Sequence, residues 1–175
     1  MARGRYDDRV SGLFYHEVLT ALHEAGARFV VVGGLAVNLQ GVPRPTADID
    51  LVIELSPDNV RAVAEALRSV GLRPRLPAPP EGLADPRVRE QWVRERNLTA
   101  YTLCDPDNPL RSVDILVDSP LSFDELSASA DRIEARGIRF DVASIEALIR
   151  MKEHAGRRRD LADVAALRTL LEEAP

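Results

Sequence analysis

Residues 28–55 read RFVVVGGLAVNLQGVPRPTADIDLVIEL, and this stretch contains the pattern that decides the fold. A short β-branched run at 28–32 predicts a buried strand, Gly33 and Gly34 end it, and 35–40 predicts a short helix that begins at once. Glycine lets the backbone approach a ligand closely, and a helix N-terminus presents free N–H groups to an anion. A tight strand-to-helix turn without a ligand explains the same residues, so both interpretations stay open at this point.

A rigid loop and a second strand follow. The two prolines of residues 43–46 (PRPT) fix their φ angles and remove two backbone donors. Residues 48–55 predict a strand, in which Asp48 and Asp50 point to the same face because side chains alternate. Two carboxylates this close repel each other, and a divalent cation between them makes the arrangement favourable. Solvation of both carboxylates on an edge strand is the alternative.

A third carboxylate lies in a later predicted strand. Residues 112–118 read SVDILVD, and Asp114 is flanked there by apolar side chains. Burial of a carboxylate without a partner is costly, and a shared metal would supply the partner. Asp118 points to the same face but lies near the strand end, where a turn or cap is the simpler role. We therefore favour Asp114 as the third member of the group.

The rest of the chain alternates between helical and strand patterns. Outside 28–55, the periodicity predicts helices at 8–25, at 57–70, at 87–96, from 122, and from 144 to the end, and strands at 72–76, 98–104, 112–118, 131–135 and 138–143. This order indicates an α/β (α+β) fold, with a mixed β-sheet flanked by helices and a helical C-terminal tail. We expect one domain, in which residues 1–143 form the core and 144–175 form a C-terminal helical segment packed on it. A bend is expected near Gly156.

Length and composition agree with one globular domain. The 175 residues are 45% hydrophobic and 29% charged, and a chain of this size buries roughly 70% of its unfolded surface without needing disulfides or metals to fold. A single cysteine, Cys104, excludes a disulfide framework and a cysteine-rich zinc site. The net charge of −5 does not indicate a nucleic-acid binder. Because no apolar run suits a membrane span and residues 1–15 lack an apolar signal core, we expect a cytoplasmic protein with no membrane partner.

Taken together, these residues resemble the polymerase-beta-like nucleotidyltransferase superfamily. Its pattern is a Gly-Gly or Gly-Ser turn, then an Asp-x-Asp, then a third Asp on a later strand. The Arg-x-Thr-x-Asp-x-Asp form is similar to the minimal nucleotidyltransferases and AbiEii-like abortive-infection toxins, whose C-terminal helices carry a Lys followed by Arg/Lys-Asp. Residues 148–163 (LIRMKEHAGRRRDLAD) contain a similar run. The other residues that carry the resemblance are Gly33-Gly34, Arg44-Pro-Thr46-Ala-Asp48-Ile-Asp50 and Asp114.

The resemblance implies a site for phosphoryl transfer. In such a site, Asp48, Asp50 and Asp114 would hold two Mg²⁺ ions. Asp114 would also accept the proton of the attacking hydroxyl. Gly33 and Gly34 would cradle the triphosphate of an NTP through their N–H groups. The implied reaction transfers NMP from the NTP to an acceptor hydroxyl and releases pyrophosphate, with no covalent protein nucleophile.

Three further residues are candidates for contact with the nucleotide phosphates. Arg44 and Thr46 come just before the carboxylates. Lys152 is the single lysine among 23 basic residues, and a compact ammonium group suits phosphate contact. Lys152 would share a helix face with Arg159 and Asp163 only in a helix that continues without a break. A solvated, charged helix is the alternative for this segment, and it is the interpretation that we favour for Arg157 and Arg158.

The family resemblance also implies partners. We expect a Mg²⁺-dependent nucleotidyltransferase that acts as the toxin of a bacterial toxin–antitoxin pair, with an NTP, an acceptor RNA (tRNA) or protein, and a cognate antitoxin as partners. One alternative is a catalytically silent module that binds a nucleotide or a partner. Another is a small-molecule enzyme of the aminoglycoside nucleotidyltransferase type. The sequence leaves the oligomeric state open.

Overall fold

The computed structural model describes residues 13–173. Its strands are β1 (Phe29–Val32), β2 (Ile49–Ile53), β3 (Arg73–Pro74), β4 (Ala100–Cys104), β5 (Ser112–Leu116), β6 (Asp131–Ala135) and β7 (Ile138–Val142). Its helices are α1 (Leu13–Glu24), α2 (Gly33–Gln40), α3 (Pro57–Ser69), α4 (Pro86–Arg96), α5 (Phe123–Ser129), α6 (Ile145–Ala155) and α7 (Arg158–Glu173). A short 3₁₀ helix covers Pro80–Ala84.

The strands form one mixed sheet in the order β3-β4-β5-β2-β1-β7-β6. β2 pairs with β5 and β1 pairs with β7 in parallel, whereas the other neighbouring strands are antiparallel. The expected α/β fold with a mixed sheet is therefore confirmed. Because β2 lies between β1 and β5, the alternative that placed Asp48 and Asp50 on an edge strand is wrong.

The apolar side chains of β1 and β2 are buried, which agrees with the position of both strands inside the sheet. Every residue of β1 is buried, as in strands that are covered on both faces. In β2, the isoleucines and Leu51 are buried, whereas Asp50 is only partly buried. The chain then turns into α3, where the hydroxyl of Ser56 caps the helix by accepting the backbone N–H of Asn59 at 3.3 Å.

Three elements away from the centre of the sheet differ from the sequence expectation in length, in secondary structure or in burial. The strand expected at 72–76 is reduced to Arg73–Pro74 at the sheet edge, because the proline has no N–H for a ladder. The loop expected at 77–86 contains the 3₁₀ helix. Helix α4, expected to be mostly solvated, buries Trp92, whose ring stacks on that of Tyr101 with centroids 5.6 Å apart.

The C-terminal segment forms two helices. Gly156 ends α6 in the left-handed conformation with φ 62°, so the expected bend is confirmed. Helix α6 packs against both α2 and α7. Because the helix is broken, Lys152, Arg159 and Asp163 do not share the face of one continuous helix. Arg159 is exposed, whereas Asp163 of α7 lies next to Lys152 of α6.

The first predicted helix is confirmed over the part that the structure describes. Residues 8–12 of the expected 8–25 lie outside the described residues, and α1 accounts for Leu13–Glu24. Within residues 13–173, no helix combines the length and the apolar character that crossing a membrane requires.

Candidate active site

Three carboxylates converge where β2 and β5 run side by side. Asp50 and Asp114 are paired in the parallel register of these strands. Asp48 precedes β2 by one residue and shares the face of Asp50, as the alternation predicts. Each of the three residues offers one oxygen atom, and these oxygens all lie within 4.8 Å of one another. Carboxylate oxygens at this spacing are the donor set that Mg²⁺ prefers.

The charge of this cluster is not neutralised by an ion pair. Among residues 13–173, no Lys, Arg or His nitrogen lies within 4.0 Å of a carboxylate oxygen of Asp48, Asp50 or Asp114. Burial, followed by repulsion from Asp48 and Asp114, raises the pKa of Asp50 to about 6. A hydrogen bond from the backbone of Gly34 and the positive charge of Lys152 act in the opposite direction. A divalent cation among these carboxylates would relieve the repulsion.

Neutral donors hold each carboxylate in place. The hydroxyl of Thr46 donates to Oδ1 of Asp48 at 3.2 Å. The hydroxyl of Thr102 donates to Oδ1 of Asp114 at 2.6 Å. The backbone of Gly34 supplies the corresponding bond to Asp50. The carboxylates are thus oriented without losing their negative charge, which suits a cation site.

The two glycines lie directly against this cluster. Gly33 has φ +65°, and a Cβ there would lie 1.8 Å from Oδ2 of Asp50. A Cβ at Gly34 would lie 2.8 Å from Oγ1 of Thr46. The turn between β1 and α2 is therefore shaped to the carboxylates, which the sequence did not indicate. Contact of these glycines with a triphosphate stays a prediction.

Arg44 and Lys152 come together on a shared partner, Asp163 of α7. Oδ2 of Asp163 accepts a hydrogen bond from Nη1 of Arg44 at 2.6 Å and forms an ion pair with Nζ of Lys152 at 2.7 Å. Nζ of Lys152 also lies 3.4 Å from Asp160, which in turn pairs with Nε of Arg157 at 3.0 Å. Two cations from distant parts of the chain are thereby held close to one another.

The alternative of a solvated charged helix is wrong for Lys152. Its side chain is only 9% exposed, and Asp160 and Asp163 are buried with it. For Arg157 and Arg158 this alternative is confirmed as far as exposure goes, since both residues are exposed, although Arg157 also pairs with Asp160. Asp118 is also exposed, lies beyond the end of β5, and is outside the carboxylate cluster.

A cavity of about 480 Å³ opens beside the carboxylates. Asp50, Gly33 and Lys152 lie on its wall, together with Asp160. The apolar part of the wall consists of Leu116, Pro120, Leu148, Met151 and Ala155. A depression of about 560 Å³ near Phe29 lies at the opposite end of β1 and contains none of the predicted site residues. The wall of the cavity next to the carboxylates therefore combines charged and apolar side chains.

Comparison with known proteins agrees with this geometry. The family model described as nucleotidyl transferase AbiEii toxin, type IV TA system, matches residues 17–174. The chain belongs to this family. It is therefore a nucleotidyltransferase, and the AbiEii family associates it with a toxin–antitoxin system. No curated protein matches the chain in sequence.

Solved structures with low sequence identity share the fold of this AbiEii-family chain. The lincomycin-bound crystal structure of the lincosamide antibiotic adenylyltransferase LnuA has 15% identity and a TM-score of 0.59, covering 91% of this chain and 97% of its own. The solution structure of the antibiotic-resistance factor ANT(2'')-Ia has 15% identity and a TM-score of 0.57, covering 90% and 82%. Its complex with adenylyl-2''-tobramycin has 16% identity and a TM-score of 0.55, covering 89% and 86%.

Two residues near this site were not singled out from the sequence. One is Thr102, which donates to Asp114, and the other is Tyr15, whose hydroxyl donates to the backbone oxygen of Thr46 at 2.5 Å. Asp163 belongs to the C-terminal run that carried the resemblance, but its role depends on how α7 packs. Thr102 alternates with Tyr101 and neighbouring core residues along β4, a weak signal for a polar face.

Proposed function

We propose that this protein is a Mg²⁺-dependent nucleotidyltransferase that transfers NMP from an NTP to a hydroxyl group of RNA or protein, and that it acts as the toxin of its pair. The observation that carries the proposal is the cluster of Asp48, Asp50 and Asp114, whose oxygens lie within 4.8 Å of one another with no ion pair among the described residues. The family membership supports nucleotidyl transfer in general.

The residues present fit a divalent cation. Asp48, Asp50 and Asp114 provide hard oxygen ligands, and the pKa of Asp50 is raised by burial and then by repulsion from Asp48 and Asp114. When bound there, Mg²⁺ would neutralise phosphate charge and increase the acidity of a hydroxyl group. Ion identity and number belong to the proposal.

The chain's own groups have distinct tasks in the transfer. The acceptor oxygen forms a bond to the α-phosphorus, the bond between that phosphorus and the bridging oxygen breaks, and pyrophosphate leaves with the electron pair. Asp114, held by Thr102, accepts the proton of the acceptor hydroxyl. Because no protein nucleophile takes part, the remaining task is to position the reactants and to stabilise charge.

Arg44 and Lys152 are proposed to contact the phosphates. Oδ2 of Asp163 pairs with both cations. Lys152 also lies on the wall of the 480 Å³ cavity that contains Asp50. The apolar wall formed by α6 and the end of β5 would receive the nucleoside, since a cavity of this size accommodates a small molecule.

The test is transfer of label from each α-labelled NTP, with Mg²⁺, into total RNA and into total cell protein. We expect label in one of these pools, and we expect none with Asp50→Asn. The matched control is Asp107→Asn, which removes an exposed carboxylate outside both the cluster and the cavity and is expected to leave transfer intact. If wild type and Asp50→Asn release pyrophosphate equally slowly while still binding NTP, the silent binding module is the correct interpretation.

The alternative of an aminoglycoside-type enzyme has no support beyond the fold. LnuA and ANT(2'')-Ia are 15–16% identical to this chain, and likeness at this level shows shared architecture only. Their antibiotics are therefore not assigned to this protein. The toxin role is tested by expression in cells: wild type is expected to arrest growth, and Asp50→Asn to permit it. Normal growth with the wild type would contradict that role without affecting the label-transfer result.

A further inference from the structure

We propose that Thr102 is a positioning residue for Asp114, and that its hydroxyl sets the orientation in which Asp114 can bind a divalent cation and accept a proton. The inference rests on the proposed function and adds a residue to it. Thr102 is remote in sequence from the Asp-x-Asp motif and lies on a different strand.

The sheet register places the two residues directly opposite each other. β4 and β5 are antiparallel, and Thr102 is paired with Asp114 in their register. Side chains paired in this way point to the same face and lie within contact distance. The bond from Oγ1 of Thr102 to Oδ1 of Asp114 is 2.6 Å long, in the short range that hydroxyl-to-carboxylate hydrogen bonds show.

The rest of β4 shows that Thr102 is the polar position on the site face. Its neighbours Tyr101 and Leu103 point to the opposite face and are 1% and 2% exposed, as part of the core. Ala100 and Cys104 share the face of Thr102 and carry no hydroxyl group. Thr102 is therefore the one residue of this strand that can donate a hydroxyl proton to the carboxylates.

The hydrogen bond from Thr102 leaves Asp114 with oxygen lone pairs that can bind a cation or a proton. It uses one lone pair of Oδ1, so Oδ2 and the second lone pair of Oδ1 are available to a cation or a proton. Asp48 is held in a similar way by Thr46, through the longer 3.2 Å bond. A hydroxyl donor orients a carboxylate without contributing positive charge, whereas Lys or Arg at position 102 would compete with a metal ion. Groups that hydrogen-bond to metal ligands and orient them contribute about 10–100-fold to metal affinity or activity.

The variant that isolates this role is Thr102→Val, which keeps the β-branched shape and strand preference and removes the hydroxyl. Thr102→Ser restores a donor at the same place. The matched control is Thr20→Val in α1, because Oγ1 of Thr20 is buried and has no hydrogen-bond partner within the described part of the chain. Both variants thus remove a threonine hydroxyl, which donates to a carboxylate at position 102 and, among the described residues, has no such partner at position 20.

The first readout is binding of Mn²⁺ alone to metal-free protein, followed by the loss of the free-ion EPR signal. We expect Thr102→Val to weaken Mn²⁺ binding about 10-fold and to lower the rate of NMP transfer about 10–100-fold. The KM for NTP should change little. Thr102→Ser should restore both quantities, and Thr20→Val should match wild type. All three variants should melt within about 4 °C of wild type.

The outcomes separate this inference from the proposed function. If wild type transfers NMP and Thr102→Val equals it in Mn²⁺ affinity and rate, Thr102 has no positioning role and the proposed function stands. If Thr102→Ser is as impaired as Thr102→Val, the hydroxyl is not the acting group and the inference is also overturned. If Thr102→Val weakens Mn²⁺ binding but wild type transfers NMP to no acceptor, the positioning role stands and the proposed function fails.

Discussion

The carboxylate of Asp50 lies so close to the backbone of Gly33 that only glycine fits at position 33. A Cβ on Gly33 would lie 1.8 Å from Oδ2 of Asp50. The φ of +65° at Gly33 also belongs to the left-handed region that favours glycine. The Gly-Gly turn thus makes room for a carboxylate, whether or not it also binds phosphate. The end of β1 and the start of β2 consequently pack closely around the side chain of Asp50.

Gly33→Ala is predicted to lose nucleotidyl transfer and to be less stable than wild type. The left-handed φ alone costs roughly 1 kcal/mol for alanine, and the clash requires Asp50 to move as well. The matched control is Gly26→Ala, since Gly26 has φ +63° and nothing within 4 Å of its Cβ position. Thermal unfolding and label transfer measure both effects. Equal destabilisation of the two variants would contradict the role of the contact with Asp50.

Asp50→Asn is predicted to be more stable than wild type near pH 7 in the absence of metal. Burial raises the pKa of Asp50 from 3.8 to about 6, a difference that corresponds to about 3 kcal/mol. Between these two pH values the folded protein keeps a proton that the unfolded chain releases, so wild type loses stability as pH rises through the window. The variant has no such loss.

Denaturant unfolding in EDTA from pH 4 to pH 8 measures this difference. The gap between Asp50→Asn and wild type should widen from pH 4 to pH 6 and stay constant above it. Added Mg²⁺ should stabilise wild type and have less effect on the variant, because a ligand that binds only the folded state stabilises it. A gap that is independent of pH would show that Asp50 is not held in the environment described here.

Asp163→Asn is predicted to destabilise the protein by about 3 kcal/mol, because it leaves two partly buried cations with a weakened partner. Its carboxylate oxygen lies 2.6 Å from Arg44 and 2.7 Å from Lys152. The matched control is Glu153→Gln, which removes an exposed ion pair that also joins α6 to α7 and should cost less than about 1 kcal/mol. Denaturant unfolding compares the two variants. Equal losses would contradict the importance of the buried pair.

Lys152→Gln is predicted to weaken NTP binding, because the ammonium group is proposed to contact phosphate. The control is Arg159→Gln, which removes an exposed cation of the same C-terminal run. Fluorescence titration with a labelled NTP in the presence of Mg²⁺ measures the affinity directly, and far-UV circular dichroism checks that α6 and α7 still fold. Unchanged affinity in a folded Lys152→Gln protein would show that its charge serves only the pairs with Asp160 and Asp163.

The central part of the fold could be predicted because its signals are local. A β-branched run that ends in two glycines predicted β1, and strand alternation put Asp48 and Asp50 on one face. The flanking apolar residues selected Asp114. That Asp114 lies beside Asp50 follows from the parallel pairing of β2 with β5, which spacing alone does not determine. The resemblance implied only that the three carboxylates share one site.

The remaining site residues depend on tertiary contacts. Thr102 contacts Asp114 only because of the β4–β5 register, and the alternation of residues along β4 is a weak signal that does not identify its partner. Asp163 meets Lys152 because Gly156 ends α6 and lets α7 pack against it. The sequence predicted the bend near Gly156 but not the contact that the bend allows. The division of the chain at residue 143 stays a prediction.

The most direct test of the central claim is the location of Mn²⁺ by anomalous scattering in crystals grown with a non-hydrolysable NTP analogue. We predict anomalous density bounded by the carboxylates of Asp48, Asp50 and Asp114, with the phosphates of the analogue between that density and Lys152. Crystals of Asp50→Asn under the same conditions provide the reference. Manganese density elsewhere, or a bound nucleotide with no metal at these carboxylates, would contradict it.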